Sequence, residues 1–216
     1  MPERPHIVPL GDSALLVRFG ARLDDAANRQ ALAFAAALAA DPIAGVVEVV
    51  PSLVSVLLRY DPRAADPLRL AGEIALRLSA PVADAPAREH RIAVRFGGEK
   101  GPDLSEVASA LGMSAAEFVA QHNAKPLRVL TTGFAPGFVY CGFHADELVL
   151  PRRTAVRLMV PAGSVLFAAG QTAIAATDIP TGWHVIGWTD FANFDPAHMP
   201  PTRLAAADMV RFEAML

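Results

Sequence analysis

The sequence predicts an α+β chain in which a small N-terminal α/β sandwich-like domain precedes a β-barrel. Three observations predict it. Residues 1–80 alternate short apolar strands with two helices that can be capped. A Pro/Ala-rich stretch then interrupts that pattern. Beyond it, short strands recur between Gly and Pro punctuation, as in a barrel or a sandwich.

The elements follow in order. His6 to Leu10 and Ala14 to Phe19 read as strands around a Gly11-Asp12 turn. Asp24 or Asp25 can cap a helix that runs to about Ala40, where Asp41-Pro42 stops it. Val46 to Val50 and Ser52 to Tyr60 read as strands broken at Pro51. Asp66-Pro67 opens a second helix to about Leu78, with proline at the first helical position. That order, ferredoxin-like, suits helices on one face of an antiparallel sheet. Residues 81–90 read as a linker, and 91–216 as the second domain, which opens on a strand from Arg91 to Phe96. Asp103-Leu104-Ser105-Glu106 and Ser114-Ala115-Ala116-Glu117 match capping boxes and predict helices over 104–111 and 115–122. Further strands are expected at 127–132, 148–150, 156–160, 164–168, 172–176, 183–188 and 208–213.

Composition narrows the function classes. Hydrophobic residues are 53% and charged residues 19%, which suits a buried core rather than disorder. A net charge of −3 offers no basic field for nucleic acid. The one cysteine, Cys141, excludes an internal disulfide and reads as a small buried residue. Met1-Pro2-Glu3-Arg4-Pro5 lacks the apolar core of a signal peptide, and the longest apolar run, Ala31 to Ala40, is too short for a bilayer. The expectation is a soluble, cytoplasmic protein. No P-loop, nucleophile elbow, H-E-x-x-H or zinc cluster is present in the sequence, and no metal site is expected.

The stretch most suited to chemistry is Gly133-Phe134-Ala135-Pro136-Gly137-Phe138-Val139-Tyr140. Its glycines allow φ > 0, so its backbone donors could converge on an anion or a carbonyl oxygen. The alternative is a hydrophobic plug at the end of a barrel. His122, at a helix end, reads either as a proton carrier or as a partner of the helix dipole. Arg152 and Arg153 read either as a bidentate anion clamp or as a rim pair. Gln171 and Thr172 could hydrogen-bond a small amide or cap a strand end. Trp183 and Trp188 read as core or interface aromatics, His184 as structural, and Asp195 as a turn former.

Further motifs follow in series: Leu150-Pro151-Arg152-Arg153-Thr154, Val160-Pro161-Ala162-Gly163-Ser164-Val165, Ala169-Gly170-Gln171-Thr172, Thr181-Gly182-Trp183-His184-Val185-Ile186-Gly187 and Phe194-Asp195-Pro196. Together with the aromatic loop they resemble the allophanate hydrolase subunit 1 and KipI family, which includes the B-type subunit of bacterial ATP-dependent 5-oxoprolinase. The resemblance covers nearly the whole chain. It implies that the second domain is a cyclophilin-like β-barrel. It also implies a subunit, inactive alone, that works with a larger carboxyltransferase-fold subunit and a lactam-hydrolase subunit to open 5-oxoproline, with ATP used in the complex. Two other functions occur within such families: inhibition of a sporulation-type histidine kinase, and a urea-carboxylase-like carboxyltransferase role with biotin on another chain. On this reading His122, Arg152 and Gln171 are the catalytic candidates. Gly133, Phe134, Pro136, Gly137, Phe138, Tyr140, Arg153, Thr172 and Gly182 are the substrate-binding candidates. The chain departs from the family pattern where Ala169, Ala207 and Thr181 replace glycines and Trp188 replaces an arginine.

Overall fold

The computed structural model describes residues 4–79 and 83–215. The chain divides into two compact units, Met1–Pro86 and Ala87–Leu216. The centre of the expected linker, Ala80 to Val82, lies outside the described residues, as do Met1 to Glu3.

The first unit contains β1 (His6–Pro9), β2 (Ala14–Arg18), α1 (Asp25–Ala40), β3 (Val46–Ser52), β4 (Ser55–Tyr60) and α2 (Pro67–Ser79). The sheet order is β1-β2-β4-β3, antiparallel throughout, so β4 lies between the two strands that α1 connects. Asp24 caps α1 by accepting from Ala27 N at 3.0 Å. Leu15, Val17, Val56 and Leu58 form one core with Phe34 and Leu38 of α1 and Leu70 and Ile74 of α2. Pro51 does not break a strand as expected: it lies inside β3, an edge strand that tolerates a missing donor. The turn falls instead at Leu53-Val54, with Leu53 at φ 41°. Asn28, buried in α1, donates to Leu53 O at 2.6 Å.

The second unit contains β5 (Glu89–Phe96), α3 (Leu104–Ala110), α4 (Ala115–His122), β6 (Leu127–Thr132), β7 (Val139–Gly142), β8 (Arg157–Val160), β9 (Ser164–Ala168), β10 (Gln171–Ile174), β11 (Ile179–Thr181), β12 (His184–Trp188) and β13 (Met209–Ala214). Seven strands close a barrel in the order β10-β7-β6-β13-β5-β12-β9, with β5 and β13 parallel. β8 and β11 form a separate two-stranded ribbon.

Alternation along the barrel strands builds two cores. Ile92, Val129, Cys141, Phe167, Ile174, Ile186 and Phe212 point inward, joined by Phe118 of α4. Tyr140, Leu166, Ala168, Ala173 and Val185 point outward and are covered by Phe138, Trp183 and the ribbon residues Val160 and Ile179.

Three local expectations are corrected. β5 begins at Glu89, inside the expected linker, because its first residues pair in parallel with Met209 and Val210. The strand expected at 148–150 is a 3-10 turn over Asp146–Leu148, with Leu148 buried in the core. The Asp103 capping box does not form, whereas the Ser114–Glu117 box is complete.

Candidate functional site

The loop between β6 and β7 is shaped by three residues in the left-handed region: Gly133 (φ 129°), Phe134 (φ 76°) and Gly137 (φ 69°). A Cβ on Gly137 would lie 2.6 Å from Phe194 Cβ and 2.8 Å from Ala176 Cβ, so the backbone itself packs there. The loop closes on itself: Gly133 N donates to Phe138 O and Phe138 N to Ala135 O, each at 3.1 Å. This fold of the loop sets Phe134 and Phe138 beside a cleft of roughly 270 Å³, whose other walls are Tyr140, Arg152, Val156, Pro180, Thr181, Gly182 and Trp183.

The aromatic walls touch edge to face in series. Phe134–Phe138, Phe138–Tyr140 and Tyr140–Trp183 have centroid separations of 5.4, 4.8 and 5.8 Å. The Arg152 guanidinium carbon lies 5.7 Å from the Trp183 ring centroid. Burial pushes the Tyr140 phenol up, and the Arg152 charge opposes it only in part, so the phenol remains a neutral donor. The cleft therefore offers one permanent cation, one phenol and aromatic faces. That chemistry suits a small planar molecule carrying a carboxylate or carbonyl.

On the opposite face of the same barrel wall lies a polar trio. Thr172 Oγ1 is 2.7 Å from His122 Nε2 and 2.8 Å from His144 Nε2. His122 Nδ1 is 2.7 Å from Asn123 Oδ1, an acceptor, so that nitrogen carries the proton. Thr172 then donates to His122 Nε2 and accepts from His144 Nε2. Phe96, Phe118, Phe167 and Phe212 surround the His122 ring. Burial holds His122 down at about 4, against a smaller opposing hydrogen bond from Asn123. Burial, then the neighbouring His122, holds His144 lower still. Both are neutral near neutrality.

A second polar cluster ties the cleft segment to α3. Asp103, 3% exposed, accepts from Arg157 Nη1 and Nη2, from Arg153 Nη1 at 3.1 Å and from Val185 N at 2.7 Å. Burial pushes its carboxyl up, but the Arg157 and Val185 hydrogen bonds and both guanidinium charges outweigh that, leaving it below the usual carboxylate range.

A family model for the carboxyltransferase domain, subdomains C and D, matches residues 5–204. The chain belongs to this family. Within it, a Bacillus subtilis (strain 168) protein named as the B-type subunit of 5-oxoprolinase is 35% identical over 98% of this chain and 93% of its own length. An Escherichia coli O157:H7 protein of the same name is 33% identical over 97% of this chain and 96% of its own. The crystal structure of TTHA0988 superposes with a TM-score of 0.82 at 36% identity over 94% of this chain. The chain spans only 40% of the length of that solved chain.

Within this carboxyltransferase-domain chain, the candidate residues separate into groups. Phe134, Phe138, Tyr140, Arg152 and Gly182 line the cleft. Gly133, Pro136 and Gly137 shape the loop and are not among the lining residues. The Gly133 donor, expected to face a ligand, is spent on Phe138 O. His122 and Thr172 face the barrel interior, away from the cleft. Gln171 is buried beside Gly142, where a Cβ would lie 3.6 Å from its Cγ. Arg152 and Arg153 do not form one clamp. Arg152 lies over Trp183 and Arg153 reaches Asp103.

His144, Asp103 and Asn193 were not singled out from the sequence as site residues. Their partners lie 28 or more residues away for His144 and Asp103, and on two separate segments for Asn193.

The departures from the family pattern have structural consequences. Ala169 and Ala207 sit where the pattern has glycine, and both take positive φ, 51° and 80°. Trp188 donates Nε1–H to Ala162 O at 2.9 Å, and Lys100 Nζ lies 4.9 Å from the centroid of its ring.

A triphosphate does not fit the cleft. Arg152 is the one cationic side chain among the residues that line it, and Gly133 N and Phe138 N already donate inside the loop. Among the described residues, no group of three or more His, Cys, Asp or Glu could hold a metal ion. No helix among them is long and apolar enough to cross a membrane.

Proposed function

We propose that this chain is the B-type subunit of an ATP-dependent 5-oxoprolinase-like complex, and that its aromatic cleft holds the lactam substrate. The observation that carries the reading is the near full-length similarity to two proteins that bear the name of that 5-oxoprolinase component. The cleft supports it chemically. 5-Oxoproline is a small, nearly planar ring with an amide and a carboxylate. Arg152 supplies a fixed cation for the carboxylate, and Phe138, Tyr140 and Trp183 supply faces for the ring. The Tyr140 hydroxyl is a neutral donor suited to the lactam carbonyl.

The work of this chain in the reaction is binding and orientation. It excludes water from one side of the ring and holds the carbonyl toward a partner. The cleft is too poor in anion donors for a triphosphate, so this reading assigns the nucleotide to a larger carboxyltransferase-type subunit and ring opening to a complex that includes a third, lactam-hydrolase subunit. That TTHA0988 is more than twice the length of the matched segment agrees with a second functional part working beside this one.

The test is reconstitution. ATP hydrolysis dependent on 5-oxoproline is expected when this chain is combined with both partners, and background hydrolysis is expected from the chain alone. Equal lactam-dependent hydrolysis by the partners without this chain would overturn the assignment.

A further inference from the structure

We propose that Asn193 is the positioning residue of the cleft, a latch that ties the aromatic loop to the barrel core. Asn193 is 1% exposed. Its Nδ2 donates to Gly137 O at 2.7 Å, and its Oδ1 accepts from Leu204 N at 2.8 Å. Its own carbonyl accepts from Arg203 N at 3.3 Å. Leu204 is fully buried in the inward core. One carboxamide therefore spans from the core of the barrel to the turn that carries Phe134 and Phe138.

The packing around this bond leaves the loop little freedom on one side. The next residue, Phe194, presses its Cβ against the space where a side chain on Gly137 would stand, and the Ala176 Cβ lies nearly as close to it. Phe194 is itself held by a bridge to Thr202. The loop's remaining internal bonds, Gly133 to Phe138 and Phe138 to Ala135, close the turn on itself but do not fix it to the barrel. Among the hydrogen bonds of the described residues, the Asn193 to Gly137 bond is the side-chain tie between the turn and the core. A carboxamide is suited to this because it donates on one side and accepts on the other, as its two partners require. The proposal rests on the cleft reading only for its effect on ligand; the tie itself does not depend on it.

Asn193→Asp tests the latch with almost no change of shape. An ionised carboxylate still accepts from Leu204 N but faces Gly137 O without a donor. A protonated carboxyl regains one O–H donor and keeps an acceptor. Burial raises the pKa of the new acid, so protonation falls within an accessible range. The charged groups nearest to Asn193 in the sequence, Asp190, Asp195, His198 and Arg203, are the same in parent and variant, which makes the parent the control at each pH.

Two measurements on the full chain are compared at pH 8 and pH 5: hydrogen-exchange protection of peptides covering 133–138, and binding of 5-oxoproline by calorimetry. At pH 8 the variant is expected to lose roughly tenfold in loop protection, the scale of one lost hydrogen bond to a buried group, with a similar loss in affinity. At pH 5 both should return toward the parent, while strands β9 and β10 of the variant keep the parent's protection at each pH. A variant that matches the parent at pH 8 overturns the latch. So does a loss at both pH values spread over the whole barrel, because Asn193 would then serve general stability. If the parent binds no 5-oxoproline while loop protection follows the expected pH pattern, the latch stands and the ligand reading of the cleft fails.

Discussion

Asp103→Asn is the substitution whose cost follows most directly from the geometry. The parent carboxylate takes four donors: Oδ2 accepts from Arg157 and from Val185 N, and Oδ1 from Arg157 and Arg153. A carboxamide has one oxygen and one NH2. Whichever way it is turned, two donors lose their acceptor and face another N–H. If the nitrogen takes the Oδ2 position, the buried Val185 N–H is stranded, at about 1–3 kcal/mol. If it takes the Oδ1 position, Arg153 and one Arg157 nitrogen are released, and these side chains are only 22% and 30% exposed. Removing one partner of a fully buried ion pair costs about 3–5 kcal/mol, and partial exposure of the arginines places this case near the lower end. The expected loss is about 3 kcal/mol, which for a unit of this size lowers Tm by roughly 10 °C. Thermal and urea unfolding followed by near-ultraviolet circular dichroism read it. A loss below about 1 kcal/mol would refute the reasoning, since one good bond accounts for that much.

Acid should weaken the barrel through its buried histidines. His122 is held at about 4 against an ordinary 6.5, so the unfolded chain binds a proton in that window and the folded one does not. The His122 share of stability is then full well above pH 6.5 and falls toward pH 4, by at most about 1.4 kcal/mol per pH unit, and His144 adds a similar share; NMR should show a neutral His122 ring at pH 5, and a midpoint near 6.5 would contradict this. Ala169→Gly and Ala207→Gly should each stabilise the protein by roughly 0.5–1 kcal/mol, because relief of left-handed strain of about 1–2 kcal/mol exceeds the entropy that glycine adds to the unfolded chain. Loss of stability in either variant, read by urea midpoint, would show that these turns are relaxed with alanine.

What could be read from the sequence was local. The α1 cap, the Ser114 capping box and β6 depend on neighbours within a few residues, and they form as the residue pattern implies. The aromatic loop was legible as a functional candidate because its glycines and aromatics are dense. Pairings across the fold were not legible. Asp103 looks like a helix cap, yet its strongest partners are a strand amide and two arginines 50 or more residues away. Arg152 and Arg153 look like one clamp, but one lies over Trp183 and the other reaches Asp103, whose position 50 residues upstream the local sequence does not show. His122 looks like an exposed helix terminus, but the barrel closes over it and supplies Thr172 and His144 as partners. Asn193 carries no sequence signature because both of its partners are backbone groups.

The adjacent arginines offer the most direct measurement of the central claim. In the reconstituted complex, Arg152→Gln removes the only cationic side chain among the residues that line the cleft, and a charge-assisted hydrogen bond is worth about 1.5–3 kcal/mol. KM for 5-oxoproline should therefore rise roughly 10- to 100-fold at nearly unchanged Tm. Arg153→Gln should do the reverse, lowering Tm through the Asp103 cluster while KM stays near the parent value. Parent-like KM in Arg152→Gln, or a KM effect confined to Arg153→Gln, would contradict the assignment of the cleft as the lactam site.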